Sequence, residues 1–283
     1  MKKHKTGKLF LLLSGLLLLP CLSGCQKSQE LPDLSSMGEV VAVSREEGSG
    51  TRAEFENLIG TTEAGADLIA LSTDEVMVQV SDNRDAVGYL AVSALKNGGA
   101  AKVLSVNGII PSAETIRNGK YPLCRNYNLA YMGELDAAET DFLAYIMSAG
   151  QSIVSEDCVP VKDGTSFLSD QSAGSITITG STSIAPLMEK LASDYRTYNS
   201  NVSISIEATD SSSGLTAAIR SECDFAMSSR ELKDYEKELL NTKIIATDGI
   251  AMIVNAANPL SDVTVKQIKG LYHGDFAAWS DLK

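Results

Sequence analysis

Three times in this chain a short apolar run breaks into a turn rich in glycine and hydroxyls, and a helical pattern leaves that turn. The turns are Arg45-Glu46-Glu47-Gly48-Ser49-Gly50-Thr51-Arg52, Gly180-Ser181-Thr182-Ser183 and Ser211-Ser212-Ser213-Gly214. A turn of this make-up at a helix start aims several backbone N–H donors at one point, and the helix dipole adds partial positive charge there. Each turn taken alone has a blander reading as a plain loop, a solvated linker or a surface cation. Their recurrence at strand-to-helix junctions argues instead for one shared oxyanion.

The pattern between the turns is that of an α/β fold. Glu39 to Val43 is a short strand entering the first turn, and Ala53 to Ile59 leaves it as a helix with Phe55, Leu58 and Ile59 on one face. A helix is expected at Asp74 to Val80, and strands at Ala86 to Leu90 and Lys102 to Val106, the latter ending at an Asn107-Gly108 turn. Asp136 to Ser148 reads as a helix capped by Asp136 and ended by Gly150. Lys162 to Gly174, rich in Asp, Ser and Gly, is a linker. The pattern then restarts with a strand at Ser175 to Thr179 and a helix through Leu187 and Tyr195. Strands follow at Val202 to Ile206, Phe225 to Met227, Ile244 to Ala246 and Ile250 to Val254, and Thr264 to Tyr272 is a final helix. Such alternation predicts mainly parallel strands, with ligand bound at their carboxyl ends.

Residues 1–24 read as a secretory leader: Lys2, Lys3, Lys5 and Lys8 form a basic start, and Leu9 to Leu19 an apolar stretch too short to span a bilayer comfortably. The stretch ends in Leu22-Ser23-Gly24-Cys25, which resembles a bacterial lipobox. The resemblance implies cleavage before Cys25, diacylation of its thiol and attachment to the extracytoplasmic face of the membrane. Residues 25–37 would then be a tether. Removing the leader's four lysines from the twenty-four basic residues leaves twenty against thirty-six acids, a net of −16. At that charge nucleic-acid binding is not expected, and an anion must be held by local donors rather than by the overall field.

Three cysteines remain, Cys124, Cys158 and Cys223, without paired or metal-like spacing; they fit buried thiols or one disulfide. With His273 the sole histidine after the leader, no metal site is expected, and no cofactor. Enzyme readings are also poor. Gly48-Ser49-Gly50 lacks the Gly-x-Ser-x-Gly spacing of a nucleophile elbow, and no P-loop lysine follows the glycines.

The motifs together resemble the phosphate-binding proteins of phosphate ABC transporters, with a periplasmic-binding-protein type II fold. They are Ser44 to Arg52, Thr179 to Ser183, Asp210 to Gly214, Ala226-Met227-Ser228-Ser229-Arg230-Glu231-Leu232 and Asp248-Gly249-Ile250-Ala251, and the resemblance spans nearly all of residues 38–283. In the usual family order the Gly-Ser-Thr-Ser turn comes before the Arg-Glu-Glu-Gly-Ser-Gly-Thr turn. Here the order is reversed with nothing missing, so the chain reads as a circular permutant, its usual ends fused through Lys162 to Gly174. The resemblance implies two hinge-linked lobes, residues 38–122 plus 255–283 and residues 123–254, with hinges near Tyr121–Arg125 and Ile253–Asn258.

By motif position the resemblance assigns phosphate binding to Arg45, Ser49, Gly50 and Thr51 from one lobe. From the other it assigns Ser181, Thr182, Ser183, Ser211, Ser212 and Ser229. Arg45 would supply a charge-assisted fork. Arg52 is left to pair with Glu54 or Glu56, and Arg230 fits either a lobe-edge role or a structural ion pair. Some family members carry an aspartate at the place of Ser229 that accepts the proton of monohydrogen phosphate. Here Asp248 or a backbone carbonyl is the remaining candidate acceptor. The partners implied are inorganic phosphate, ABC permease subunits and, through Cys25, the membrane; a monomer is expected. Rival readings are a binding protein or sensor for another oxyanion (sulfate, molybdate or a phosphonate) and, more remotely, a serine phosphatase.

Overall fold

The computed structural model describes residues 32–62, 65–97 and 101–282. The leader and Cys25 lie outside the described residues. The first part of the chain contains β1 (Val41–Arg45), α1 (Gly50–Ile59), β2 (Leu68–Ala70), α2 (Thr73–Asp82), β3 (Ala86–Ala91), β4 (Ala101–Val103), β5 (Ser105–Val106) and α3 (Ala113–Arg117). The middle contains β6 (Cys124–Met132), α4 (Ala137–Ile146), α5 (Gly150–Asp157), β7 (Val159–Pro160), β8 (Gly174–Ser181), α6 (Ala185–Tyr198), β9 (Val202–Thr209) and α7 (Ser211–Ile219). The last part contains β10 (Phe225–Ser228), α8 (Asp234–Leu239), β11 (Leu240–Asn255), β12 (Asp262–Val263) and α9 (Val265–His273).

One path of strands runs β2-β1-β3-β11-β6-β10-β8-β9. Its two flanks are parallel, β2-β1-β3 on one side and β10-β8-β9 on the other. Between them lie two antiparallel strands, β11 and β6, that a mainly parallel reading does not anticipate. The stretch read as two short strands at Ile244 to Ala246 and Ile250 to Val254 is one strand of 16 residues. From Leu240 to Gly249 it pairs with β6, and from Ile250 to Val254 with β3. The polar Thr247-Asp248-Gly249 does not interrupt it, because the buried Asp248 carboxylate accepts from Tyr127 Oη and the Ser93 amide.

Each flank has its own apolar core, which makes the molecule two-lobed. One core gathers Phe55, Tyr89 and Tyr272, with Phe55 stacked on Tyr89 at 3.8 Å between ring centroids. Leu34 and Met37, in the stretch read as tether, are buried in this core. The other core gathers Phe142, Tyr145, Tyr195 and Phe225. Asp136 caps α4 with Glu139 in a capping box, and Thr264 caps α9 with Gln267. Gly150, expected to end a helix, begins α5 instead. The late part of the chain closes on its start: Glu39 bridges Ala278, and the Trp279 amide donates to the Gly38 carbonyl at 3.1 Å. Cys124, Cys158 and Cys223 are free thiols.

Two structural devices brace the second lobe beside the turns. Gly180 has φ +130°, and a Cβ there would lie 2.4 Å from the Met227 carbonyl oxygen. Arg230 forms a buried two-pronged pair with Glu236, both bonds 2.8 Å, so its role includes a structural ion pair. Burial alone would raise the Glu236 carboxyl, but hydrogen bonds from Arg230 and the Lys233 amide outweigh it and hold the group below the usual range.

Gly180→Ala should lower stability by about 3 kcal/mol, from backbone strain plus collision, measured by urea unfolding. Glu236→Gln should cost about 3 kcal/mol at neutral pH by stranding a buried guanidinium. Because the folded carboxyl is depressed, the ionised group stabilises the fold above the ordinary glutamate range. That contribution is lost as pH falls through the lowered value. The gap between wild type and Glu236→Gln should therefore narrow in acid, and a gap that widens would contradict the assignment.

Candidate functional site

The three turns meet. The first leaves β1 and enters α1, which starts at Gly50, so that Thr51 lies in the opening turn of the helix rather than before it. The second leaves β8 at Ser181 and reaches α6 through Thr182 and Ser183. The third follows β9, where Asp210 caps α7 by accepting from the Ser212 and Ser213 amides. A fourth segment, at the end of β10, brings Ser229. Each is a strand end followed by a helix or turn, so the fold delivers short hydroxyl side chains to one place from four backbone segments.

The contacts across the seam are direct. Thr51 Oγ1 lies 2.9 Å from Ser183 Oγ, and Ser183 Oγ lies 3.1 Å from Thr73 Oγ1. Arg45 Nη2 donates to Thr182 Oγ1 at 3.1 Å. Within the second lobe Ser181 Oγ donates to Ser229 Oγ at 2.9 Å, and the Ser229 amide donates to Ser211 Oγ at 3.1 Å. Gly50 packs against this group so closely that a Cβ would lie 2.2 Å from Ser211 Oγ and 2.8 Å from Ser229 Oγ. Ser181, Ser183, Ser211, Ser229, Thr51 and Thr73 are all buried.

Other expected residues sit at the margin of the cluster. The Ser49 hydroxyl caps α1 by accepting from the Arg52 amide. Ser212 faces the opposite side, its amide bonded to the Gly48 carbonyl and its hydroxyl to Arg230. Arg45 is buried, yet its fork is already engaged: Nε and Nη2 each donate to the Glu46 carboxylate at 2.7 Å. Arg52 pairs with Glu56 at 2.9 Å. His273 lies on the surface, 3.6 Å from an Asp275 carboxylate oxygen.

Two residues that sequence reasoning passed over belong to the cluster. Thr73, at the start of α2, bonds Ser183 and accepts from Arg45. Arg125, in β6, donates to Thr51 Oγ1 at 2.6 Å and to the Ser229 carbonyl at 3.3 Å. Opposite it in strand register stands Asp248. Burial raises the Asp248 carboxyl above its ordinary value, against the opposing charge of Arg125 and the hydrogen bond from Tyr127. Thr73 had a faint signal as the residue after the helix-capping Ser72; Arg125 had none, because a strand interior is read for apolar periodicity. On one side the cluster borders a cleft of 780 Å³ lined by Glu46, Thr73, Ser93, Thr182 and Ser183 among others. No group of metal-ligating side chains occurs among the described residues, and no described helix is long and apolar enough to cross a membrane.

The family model described as PBP superfamily domain matches residues 23–149 and 165–283. The phosphate-binding protein PstS 2 of Streptococcus agalactiae is 35% identical over 297 aligned residues, which cover 100% of this chain and 99% of that one. Its namesake in Streptococcus pneumoniae is 33% identical, covering 96% of both. These alignments run end to end, so the order of the turns here is also the order in those relatives. The crystal structure of a phosphate-binding protein of a phosphate ABC transporter from Streptococcus pneumoniae superposes with a TM-score of 0.71 at 34% identity, covering 87% of this chain and 100% of that one. The chain belongs to the PBP superfamily and, within it, to the family of these streptococcal phosphate-binding proteins.

Proposed function

We propose that this chain captures inorganic phosphate between its two lobes and delivers it to the permease subunits of an ABC importer. The observation that carries the reading is the meeting of buried donors from both lobes: Thr51 and Thr73 from one, Ser181, Ser183, Ser211 and Ser229 from the other. Helix starts at Gly50 and Ser211 add backbone N–H groups and dipole. Closure of the lobe that carries Thr51 and Thr73 on the lobe that carries Ser181, Ser183, Ser211 and Ser229 brings both sets onto the anion. Phosphate therefore favours the closed form by its added contacts there, and a permease can read that form.

Arg45 contributes charge, but Glu46 balances it, so hydroxyl and amide dipoles do most of the holding. The Asp248 carboxylate is separated from the cluster by Tyr127 and Arg125. The acceptor for the proton of monohydrogen phosphate is thus a cluster hydroxyl or the Ser229 carbonyl. At the Ser229 carbonyl, an anion without that proton sets oxygen against oxygen with no hydrogen between them. Residues 1–25, with their basic start, apolar stretch and lipobox, support acylation of Cys25 and an extracytoplasmic anchor. The pairing of Glu39 with Ala278 supports the permuted reading of the segment order. Binding without turnover is favoured by the surface position of His273 and by the capping role of the Ser49 hydroxyl.

Titration calorimetry with phosphate and sulfate should give phosphate the advantage by about tenfold or more; equal affinities would remove phosphate from the reading. Arg45→Ala should weaken phosphate binding by about 30-fold, since it removes a guanidinium and leaves Glu46 uncompensated at the anion. Thr51→Val should weaken it by about tenfold. Unchanged affinity in both variants would put the site elsewhere.

A further inference from the structure

Three arginine side chains are buried in the second lobe and along the seam, and two of them are fully engaged. Arg45 donates to Glu46, Thr73 and Thr182, and Arg230 to Glu236, Ser212 and the Glu231 carbonyl. Arg125 differs. Its side chain is fully buried, yet Nε and Nη2 have no hydrogen-bond acceptor. The nearest carboxylate, Asp248, lies 3.9 Å from Nη2, beyond hydrogen-bond length. Asp248 cannot easily come closer, because Oδ1 accepts from the Ser93 amide and Oδ2 from Tyr127 Oη and Ser93 Oγ. The one tethered nitrogen, Nη1, bonds the Thr51 hydroxyl and the Ser229 carbonyl, which belong to opposite lobes.

A buried guanidinium with idle donors is expensive unless an acceptor of opposite charge arrives. Its position narrows what that acceptor is. It stands where β11 exchanges one strand partner for another: Asp248 pairs with Arg125, Gly249 with Cys124, and Ile250 with Ala91 of the other lobe. The neighbours it touches, Thr51 and Ser229, are members of the donor cluster. We propose that Arg125 is a second cation of the anion site, donating to an oxygen of the bound tetrahedral dianion from the side on which its guanidinium meets Thr51 and Ser229, and that Asp248 is its counter-charge rather than a ligand. This rests on the phosphate-binding reading. It adds a ligand outside the glycine and serine turns, at the crossing between the lobes, so that anion charge is felt where the lobes hinge.

The pair carries an unusual signature. If Arg125 serves the anion, removing its charge weakens binding, while neutralising its counter-charge strengthens it. If the pair only braces the crossing, both changes weaken binding together with the fold. Calorimetric titration with inorganic phosphate should be run on wild type, Arg125→Met, Arg125→Lys and Asp248→Asn, alongside thermal unfolding without phosphate. Arg125→Met should bind about 30-fold more weakly. Arg125→Lys, which keeps the charge should Met prevent folding, should lie between the two. Asp248→Asn should bind phosphate several-fold more tightly than wild type, even with a lower unfolding midpoint. Wild-type affinity in Arg125→Met overturns the proposal, and so does weaker binding in Asp248→Asn that tracks its lost stability. Wild type that takes up no phosphate sinks the parent reading along with it.

Discussion

Hydroxyl contact across the seam between the lobes is the interaction on which the structure's arrangement depends. Thr51 of one lobe and Ser183 of the other lie 2.9 Å apart, and each stands at the start of a helix. Hydroxyls can donate and accept, so they satisfy one another when close and turn as a group toward an anion. An ionised carboxylate or an ammonium could not do both. The tight approach of Gly50 to Ser211 and Ser229 has the same origin, because any side chain at that position would hold the turns apart.

Charge is handled sparingly. Arg45 is matched by Glu46, Arg230 by Glu236, and Arg125 faces Asp248. A chain with thirty-six acidic residues offers no attractive field for phosphate. Compensated cations and oriented dipoles let the site hold a dianion without storing a large uncompensated charge in the protein's interior. The antiparallel strands β6 and β11 supply the frame. They carry Arg125, Tyr127 and Asp248 in register, so the polar residues under the cluster are fixed by strand pairing rather than by loops.

Much of the fold was legible where apolar periodicity and turn chemistry agree. α4 with its Asp136 cap, α9 with Thr264, and the strands entering the three turns lie within a few residues of their expected limits. β6 was not legible, because Arg125, Asn126 and Asn128 break the apolar pattern. They are tolerated because each finds a partner: Thr51 for Arg125, Thr247 for Asn126, and the Arg230 carbonyl for Asn128. For the same reason Thr247-Asp248-Gly249 read as a break in what is a continuous strand. Polar residues inside a strand look like turn signals until the tertiary fold supplies acceptors and donors for them.

The sequence by itself determined that donor-rich turns sit at strand-to-helix junctions, that the chain is α/β, and that an anion must be held by local groups rather than by net charge. Those properties are set by residue type and spacing within a few positions of one another. Only the tertiary structure decided that Arg45 is already forked onto Glu46, that Ser212 faces away, and that Thr73 and Arg125 join the cluster. Apart from the Arg45–Glu46 fork between neighbours, each joins residues far apart in the chain, as in Arg230 with Ser212 and Thr73 with Ser183. Burial turns such distant neighbours into obligatory partners, and no local pattern encodes that.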